Sequence, residues 1–172
     1  MRLLANIDTK NYNPDWERIK RNAVRAIIPA FGDSLAMVRS AVSGYYKFPG
    51  GGIEAKETHK TALLRETREE TGLLIDPESV REFGMVYEIR RSNQAKNQIF
   101  EQFSYYYFAE LTGESVATNL DDYEKALGYD LRYISPKRAY EFNKKMVQNG
   151  GASFLPRETL VLSFLLSEKG AL

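Results

Sequence analysis

The sequence predicts an α/β domain with helices on both sides of a mixed β-sheet, and three observations carry that prediction. Runs rich in β-branched and aromatic residues recur along the chain, the longest being Val80 to Arg91 and Ile99 to Leu111. Helical stretches with terminal signals are interleaved with them: Thr58 to Gly72, Pro136 to about Asn149, and Pro156 to Lys169. The run holding Phe103, Tyr105, Tyr106, Tyr107 and Phe108 is apolar on both faces, the mark of a central strand covered on both sides. Elements mixed in this order pack as layers of helix on sheet.

Taken in order, residues 1–8 predict a short edge strand, and Thr9 to Asp15, with Asn11, Asn13 and Pro14, a loop. Trp16 to Arg21 mixes apolar anchors with Arg18, Lys20 and Arg21. The runs Ala23 to Pro29 and Ser34 to Arg39, separated by Gly32-Asp33, carry a hairpin signal. Gly44 breaks the chain before Tyr45 to Phe48. Thr58 is placed to cap a helix that stops at Gly72, with Ala62, Leu64 and Thr67 turned towards the sheet. A polar connection, Ser92 to Gln98, joins the two long strands. Thr112 to Leu127 reads as an acidic loop holding Glu114, Asp121, Asp122 and Glu124. Tyr129 to Ile134 returns as a strand, and Pro136 opens a helix that Gly150-Gly151 ends. In the last helix Leu160, Val161, Phe164 and Leu165 face inward.

At 172 residues the chain suits one domain, residues 1–172, with a single sizeable core. Hydrophobic residues at 43% and charged residues at 27% exclude a disordered or membrane-embedded chain. A net charge of +1 gives no global field for nucleic acid or an anionic membrane. The cluster Arg18, Lys20, Arg21 and Arg25 lacks aromatic interleaving and reads as surface. The first eight residues are too short and too soon polar for a signal peptide, and no apolar run is long enough to span a bilayer. With no cysteine there is no disulfide, thiol nucleophile or cysteine metal site, and the expectation is a cytoplasmic protein.

The chemistry centres on Phe48-Pro49-Gly50-Gly51-Gly52-Ile53-Glu54, a glycine-rich loop feeding an acid-rich helix. Glu66, Glu69 and Glu70, at i, i+3 and i+4, share one helical face, and like charges at that spacing repel. A divalent cation is the economical compensation, since Mg2+ and Mn2+ take carboxylate and carbonyl oxygens. From Gly51 to Leu73 the stretch resembles the Nudix box, G-x5-E-x7-R-E-U-x-E-E-x-G-U, with U a bulky apolar residue. Gly51, Glu57, Arg65-Glu66, Glu69-Glu70, Gly72 and Leu73 fill its fixed positions. Thr67 departs from it at the first U, and Lys56 stands where many members carry glycine.

That resemblance implies an α/β/α sandwich and hydrolysis of a pyrophosphate bond in a nucleoside diphosphate linked to another moiety. It implies Mg2+ or Mn2+ held by Glu66, Glu70 and Glu69 with the carbonyl of Gly50, and an orienting role for Arg65, whose fork pairs with Glu57. The water-activating base is one of the helix glutamates or an acid of a later loop, with Glu124 the first choice and Glu101 the second. Arg25, Arg39 and Lys47 are candidates for substrate phosphate. His59, the only histidine, reads as a surface or capping residue.

Markers of particular substrates are absent. The place of the proline in the ADP-ribose type holds Glu88, that of the tyrosine in the diadenosine polyphosphate type holds Arg90, and no coenzyme A motif precedes the box. The partner implied is a small nucleotide-derived molecule, with no nucleic acid and no membrane, and the aromatic strands offer an interface for a homodimer. The competing function is a nucleotide-binding or sensor module that kept the pocket and lost the chemistry. An intact R-E and E-E set speaks for the enzyme.

Overall fold

A computed structural model describes residues 1–168. Nine strands and four helices follow in the order β1 (Leu3–Asp8), β2 (Glu17–Ile27), β3 (Leu35–Ser40), β4 (Tyr46–Lys47), α1 (His59–Thr71), β5 (Leu73–Ile75), β6 (Arg81–Arg91), β7 (Gln98–Phe108), β8 (Leu111–Ser115), α2 (Asp122–Ala126), β9 (Tyr129–Ile134), α3 (Pro136–Gln148) and α4 (Leu155–Ser167). The four-stranded sheet runs β1-β6-β7-β2, and β4-β3-β9 and β5-β8 form smaller ones. It is mixed: β1 is parallel to β6, β6 antiparallel to β7, and β7 parallel to β2.

Alternation along β2 explains the layering. Val24, Ala26 and Ile28 join Ala62 and Leu63 of α1 in one core. Ile27, one residue out of phase, joins Tyr106 with Val161, Leu162 and Leu165 of α4 in the other. Because side chains alternate faces every residue, one strand feeds both cores and helices cover both sides. The β7 aromatics pack within this arrangement. Tyr106 meets Phe48 edge-on, Phe108 meets Phe83 edge-on, and Phe103 lies tilted on Tyr87.

Several expectations are corrected here. The Gly32-Asp33 turn forms, but Ala23 to Pro29 and Ser34 to Arg39 meet only at the bridge Pro29↔Leu35 before parting into different sheets. Trp16 to Arg21 is not separate, because β2 already begins at Glu17. The acidic loop contains β8 and α2. On α1, Leu63 fills the core while Leu64 is half-buried. The last helix ends at Ser167, and Lys169 lies outside the described residues. Among the described residues no helix is long and apolar enough to cross a membrane.

The two departures from the box have separate physical consequences. Lys56 adopts φ +74°, a left-handed conformation in which a Cβ costs about 1–2 kcal/mol, so glycine is the natural occupant. Thr67 is fully buried, and its hydroxyl has no hydrogen-bond partner. A buried unsatisfied hydroxyl costs about 1–3 kcal/mol. Thr67→Val keeps the shape and removes that group, so urea unfolding should give a stability higher by about 1–3 kcal/mol. An unchanged or lower midpoint would show that the hydroxyl is satisfied.

Candidate active site

The site begins at the glycine loop, which lies along β2. Val24 N donates to Gly51 O at 3.0 Å, Ala26 N to Pro49 O at 2.8 Å, and Ile53 N to Asn22 O at 3.0 Å. At Gly50, with φ +134°, an added Cβ would lie 2.2 Å from the carbonyl oxygen of Val24. No other residue allows that approach. Gly50 N in turn donates to Glu70 Oε2 at 2.9 Å, tying the loop to α1. Thr58 caps the helix, and Gly72, in the left-handed conformation, ends it.

The acid face of α1 is compensated by protein cations. Arg65 gives Nε and Nη2 to the two oxygens of Glu57 at 2.7 and 2.8 Å, and Nη1 to Glu66 at 2.8 Å and Glu69 at 3.1 Å. Its Nη2 also reaches Gly52 O at 3.1 Å. Glu70 is only 2% exposed. It is paired with Lys47, whose ammonium also lies 3.4 Å from Gly50 O and over the Tyr129 ring. Burial raises the Glu70 pKa against the opposing pull of Lys47 and Arg25. Burial likewise raises Glu66, with Arg65 lowering it and the Glu70 charge adding to the rise.

A cleft of about 800 Å³ opens beside the loop. Glu66, Glu70, Gly50, Lys47 and Arg25 line it; Glu69 and Arg39 do not. Its far wall includes Glu124, which sits at the third position of α2 in a capping box with Asp121. Glu124 Oε2 accepts from Asp121 N at 3.0 Å, and Glu124 N donates to Asp121 Oδ1 at 2.7 Å. Glu101 points to the opposite face of the sheet, where it accepts from Arg18 and Tyr87. His59 also lies away from the cleft, bonded to Tyr107 and stacked near Tyr105.

The sequence hid one part of the site. Arg157 and Glu158 of α4, 2% and 0% exposed, enter the floor of the cleft from an otherwise apolar helix. Arg157 joins Glu88 at 2.9 Å and Glu158 at 3.1 Å, and Arg90 joins Glu88 at 2.8 Å. Glu158 Oε2 accepts Phe48 N at 3.0 Å and so anchors the approach to the glycine loop. The signal available was an adjacent Arg-Glu pair just after Pro156. Arg21 and Arg25, read above as surface, also line the cleft.

A family model described as NUDIX domain matches residues 20–157. The chain belongs to the Nudix family. A hydrolase of this family from Nitrosomonas europaea aligns over 86% of the chain and 90% of its own, at 16% identity and a TM-score of 0.58. A MutT Nudix hydrolase from Burkholderia pseudomallei aligns over 69% and 85%, at 18% identity and a TM-score of 0.50. At such identities the likeness is one of fold. An 8-oxo-dGTP diphosphatase from Proteus vulgaris is 47% identical over 36 residues, 21% of this chain, and the chain spans 32% of that relative's length.

Nudix hydrolases generally use divalent metal ions. Among the described residues, no three histidine, cysteine or acidic side chains are grouped to hold one. The donor chemistry nonetheless fits a hard cation: carboxylate oxygens and the Gly50 carbonyl face one space and already hold the Lys47 ammonium there.

The Glu57–Arg65 fork predicts a pH effect. It holds the Glu57 carboxyl down from its ordinary 4.5 to about 2, the guanidinium being the largest cause. Its contribution to stability is therefore full above pH 4.5 and lost as pH falls through about 2. Arg65→Gln should flatten the acid side of the stability curve, measured by thermal unfolding between pH 2 and 6. An unchanged slope would mean that the pair does not couple to folding.

Proposed function

We propose that the chain is a Mg2+- or Mn2+-dependent pyrophosphohydrolase of nucleotide derivatives acting in the cytoplasm. One observation carries the reading: the oxygen-donor wall of Glu66, Glu70 and the Gly50 carbonyl lines the same cleft as a buried Arg25 whose Nε and Nη1 make no hydrogen bond. Hydrolysis of a pyrophosphate needs both halves. Phosphate oxygens repel an attacking water, and the leaving phosphate gains charge.

In this reading Glu66 and Glu70, with Glu69 behind them and the Gly50 carbonyl beside them, hold the ion, which when bound neutralises phosphate oxygens and acidifies a water. Arg65 keeps Glu57, Glu66 and Glu69 in place by its five donors. Lys47 and Arg25 bind phosphate oxygens, and the glycine loop lets the substrate approach the backbone. Glu124 takes the proton of the attacking water. One of its carboxylate oxygens is spent on the α2 cap, the other is unengaged, and it lines the cleft without being needed for the ion. The 8-oxo-dGTP diphosphatase likeness, confined to 36 residues, places oxidised nucleoside triphosphates among the substrates to try first.

Glu70→Gln should lower Mg2+-dependent kcat on a panel of nucleotide derivatives by about two to three orders of magnitude. The panel includes nucleoside triphosphates, oxidised nucleotides, ADP-ribose, nucleotide sugars and dinucleoside polyphosphates. Turnover equal to wild type would overturn the assignment. No turnover by wild type, with nucleotides still raising the unfolding temperature, would make the protein a binding module. Glu124→Gln should lower kcat by about 10² or more, with Mn2+ binding kept. A kcat equal to wild type would move the base elsewhere.

A further inference from the structure

Arg25 is 6% exposed, and its Nε and Nη1 have no hydrogen-bond partner. The nearest carboxylate oxygen, Glu158 Oε1, lies 3.9 Å from Nε, beyond hydrogen-bond reach. Glu158 is already engaged on both oxygens. Its Oε1 already accepts from Tyr106 at 3.2 Å and from Arg157 at 3.1 and 3.3 Å, and its Oε2 accepts from Phe48 N. Glu88 is likewise divided between Arg90 and Arg157. A buried guanidinium with two donors unbonded and one long ion pair is expensive, and a ligand anion is the group that would complete it.

Arg21 lies four residues earlier on β2, hence on the same face, with fully buried Ala23 between them. Opposite them on β7 stand Gln102, paired with Arg21, and Tyr106, paired with Arg25. Arg21 forms no ion pair among the described residues, and its guanidinium lies beside Gly52, at the end of the glycine run. Desolvation of this side chain, then the charges of Arg25 and Arg157, lowers its pKa against the opposing pull of Glu66 and Glu70. At the other end, the Arg25 backbone touches Gly50, whose added Cβ would lie 3.0 Å from the Arg25 Cα. The row therefore runs outwards from the oxygen-donor wall, first Arg25 and then Arg21.

We propose that Arg25 and Arg21 form an anion track that takes the phosphates beyond the one facing Glu66 and Glu70, so that the substrate carries three or more consecutive phosphates. The proposal rests on the reading of the cleft given above and narrows its substrate class. A planar guanidinium binds a phosphate through two parallel hydrogen bonds, and two such forks spaced along one strand face fit a linear polyphosphate. A nucleotide sugar, with only two phosphates, would leave Arg21 unmatched.

The test separates this track from the hydrolytic reading by leaving out metal and turnover. Inorganic tripolyphosphate and pyrophosphate are titrated calorimetrically into full-length protein in EDTA. Wild type should bind tripolyphosphate about tenfold or more tighter than pyrophosphate, the value of one charge-assisted contact. Arg21→Gln, at the cleft mouth where folding is not at stake, should reduce that ratio to near one. Arg25→Gln should weaken both ligands about tenfold or more, with circular dichroism checking its fold. Arg25→Lys, which keeps the charge and loses the fork, should restore only part. Equal binding of the two anions by wild type, or an unchanged ratio in Arg21→Gln, would overturn the track. If Arg-dependent binding holds while no nucleotide is hydrolysed, the track stands and the hydrolase reading falls.

Discussion

The site depends on one guanidinium. Arg65 holds two oxygens of Glu57, one each of Glu66 and Glu69, and the carbonyl of Gly52, so the end of the glycine loop and the acid face of α1 become one unit. Three carboxylates one turn apart would otherwise weaken the helix. A lysine could not replace it, since a point charge with three donors cannot pair Glu57 at two points while reaching two further carboxylates. Lys47 does the equivalent work at the buried end, against Glu70 and the Gly50 carbonyl. The repulsion in the sequence is thus settled within the chain before any ion is considered.

A second constraint is backbone space. The loop is laid against β2 by three main-chain hydrogen bonds, which also cover a stretch of its free edge. That contact requires the absence of a side chain at Gly50, and it brings Arg25, on the cleft face of β2, next to the donor oxygens of α1. The alternation that sends Val24 and Ala26 to one core sends Arg21 and Arg25 to the cleft. One strand thus builds the core behind α1 and the basic floor in front of it.

What could be read in the sequence follows from where the controlling contacts lie. The bounds of α1 were legible because Thr58 and Gly72 act locally, and the central place of β7 because its aromatics are apolar on both faces. The Glu57–Arg65 fork lay within the resemblance. The supposed hairpin after β2 was illegible, because a local turn signal says nothing about which strand each arm later joins. Burial of Glu70 depends on Lys47, 23 residues away, and the place of Arg157 and Glu158 depends on Glu88 and on Phe48, 110 residues distant. A basic cluster on a strand reads as surface until the partner layer is known. Arg18 does turn to the opposite face to meet Glu101, while Arg21 and Arg25 turn to the cleft.

The buried network of Glu88, Arg157 and Glu158 gives these pieces a common origin. Networks of this kind add little net stability over a well-packed apolar core, but they fix geometry strongly because breaking one member strands the others. Here the network fastens the first turn of α4 to β6 and, through Phe48 N, to the approach of the glycine loop. One set of contacts thus ties α4, β6 and the approach to the glycine loop together. Its carboxylates are each shared among two or more donors in doing so. Arg25 meets this network only through the 3.9 Å ion pair to Glu158, its Nε and Nη1 without a hydrogen bond, at the point where the cleft meets the glycine loop.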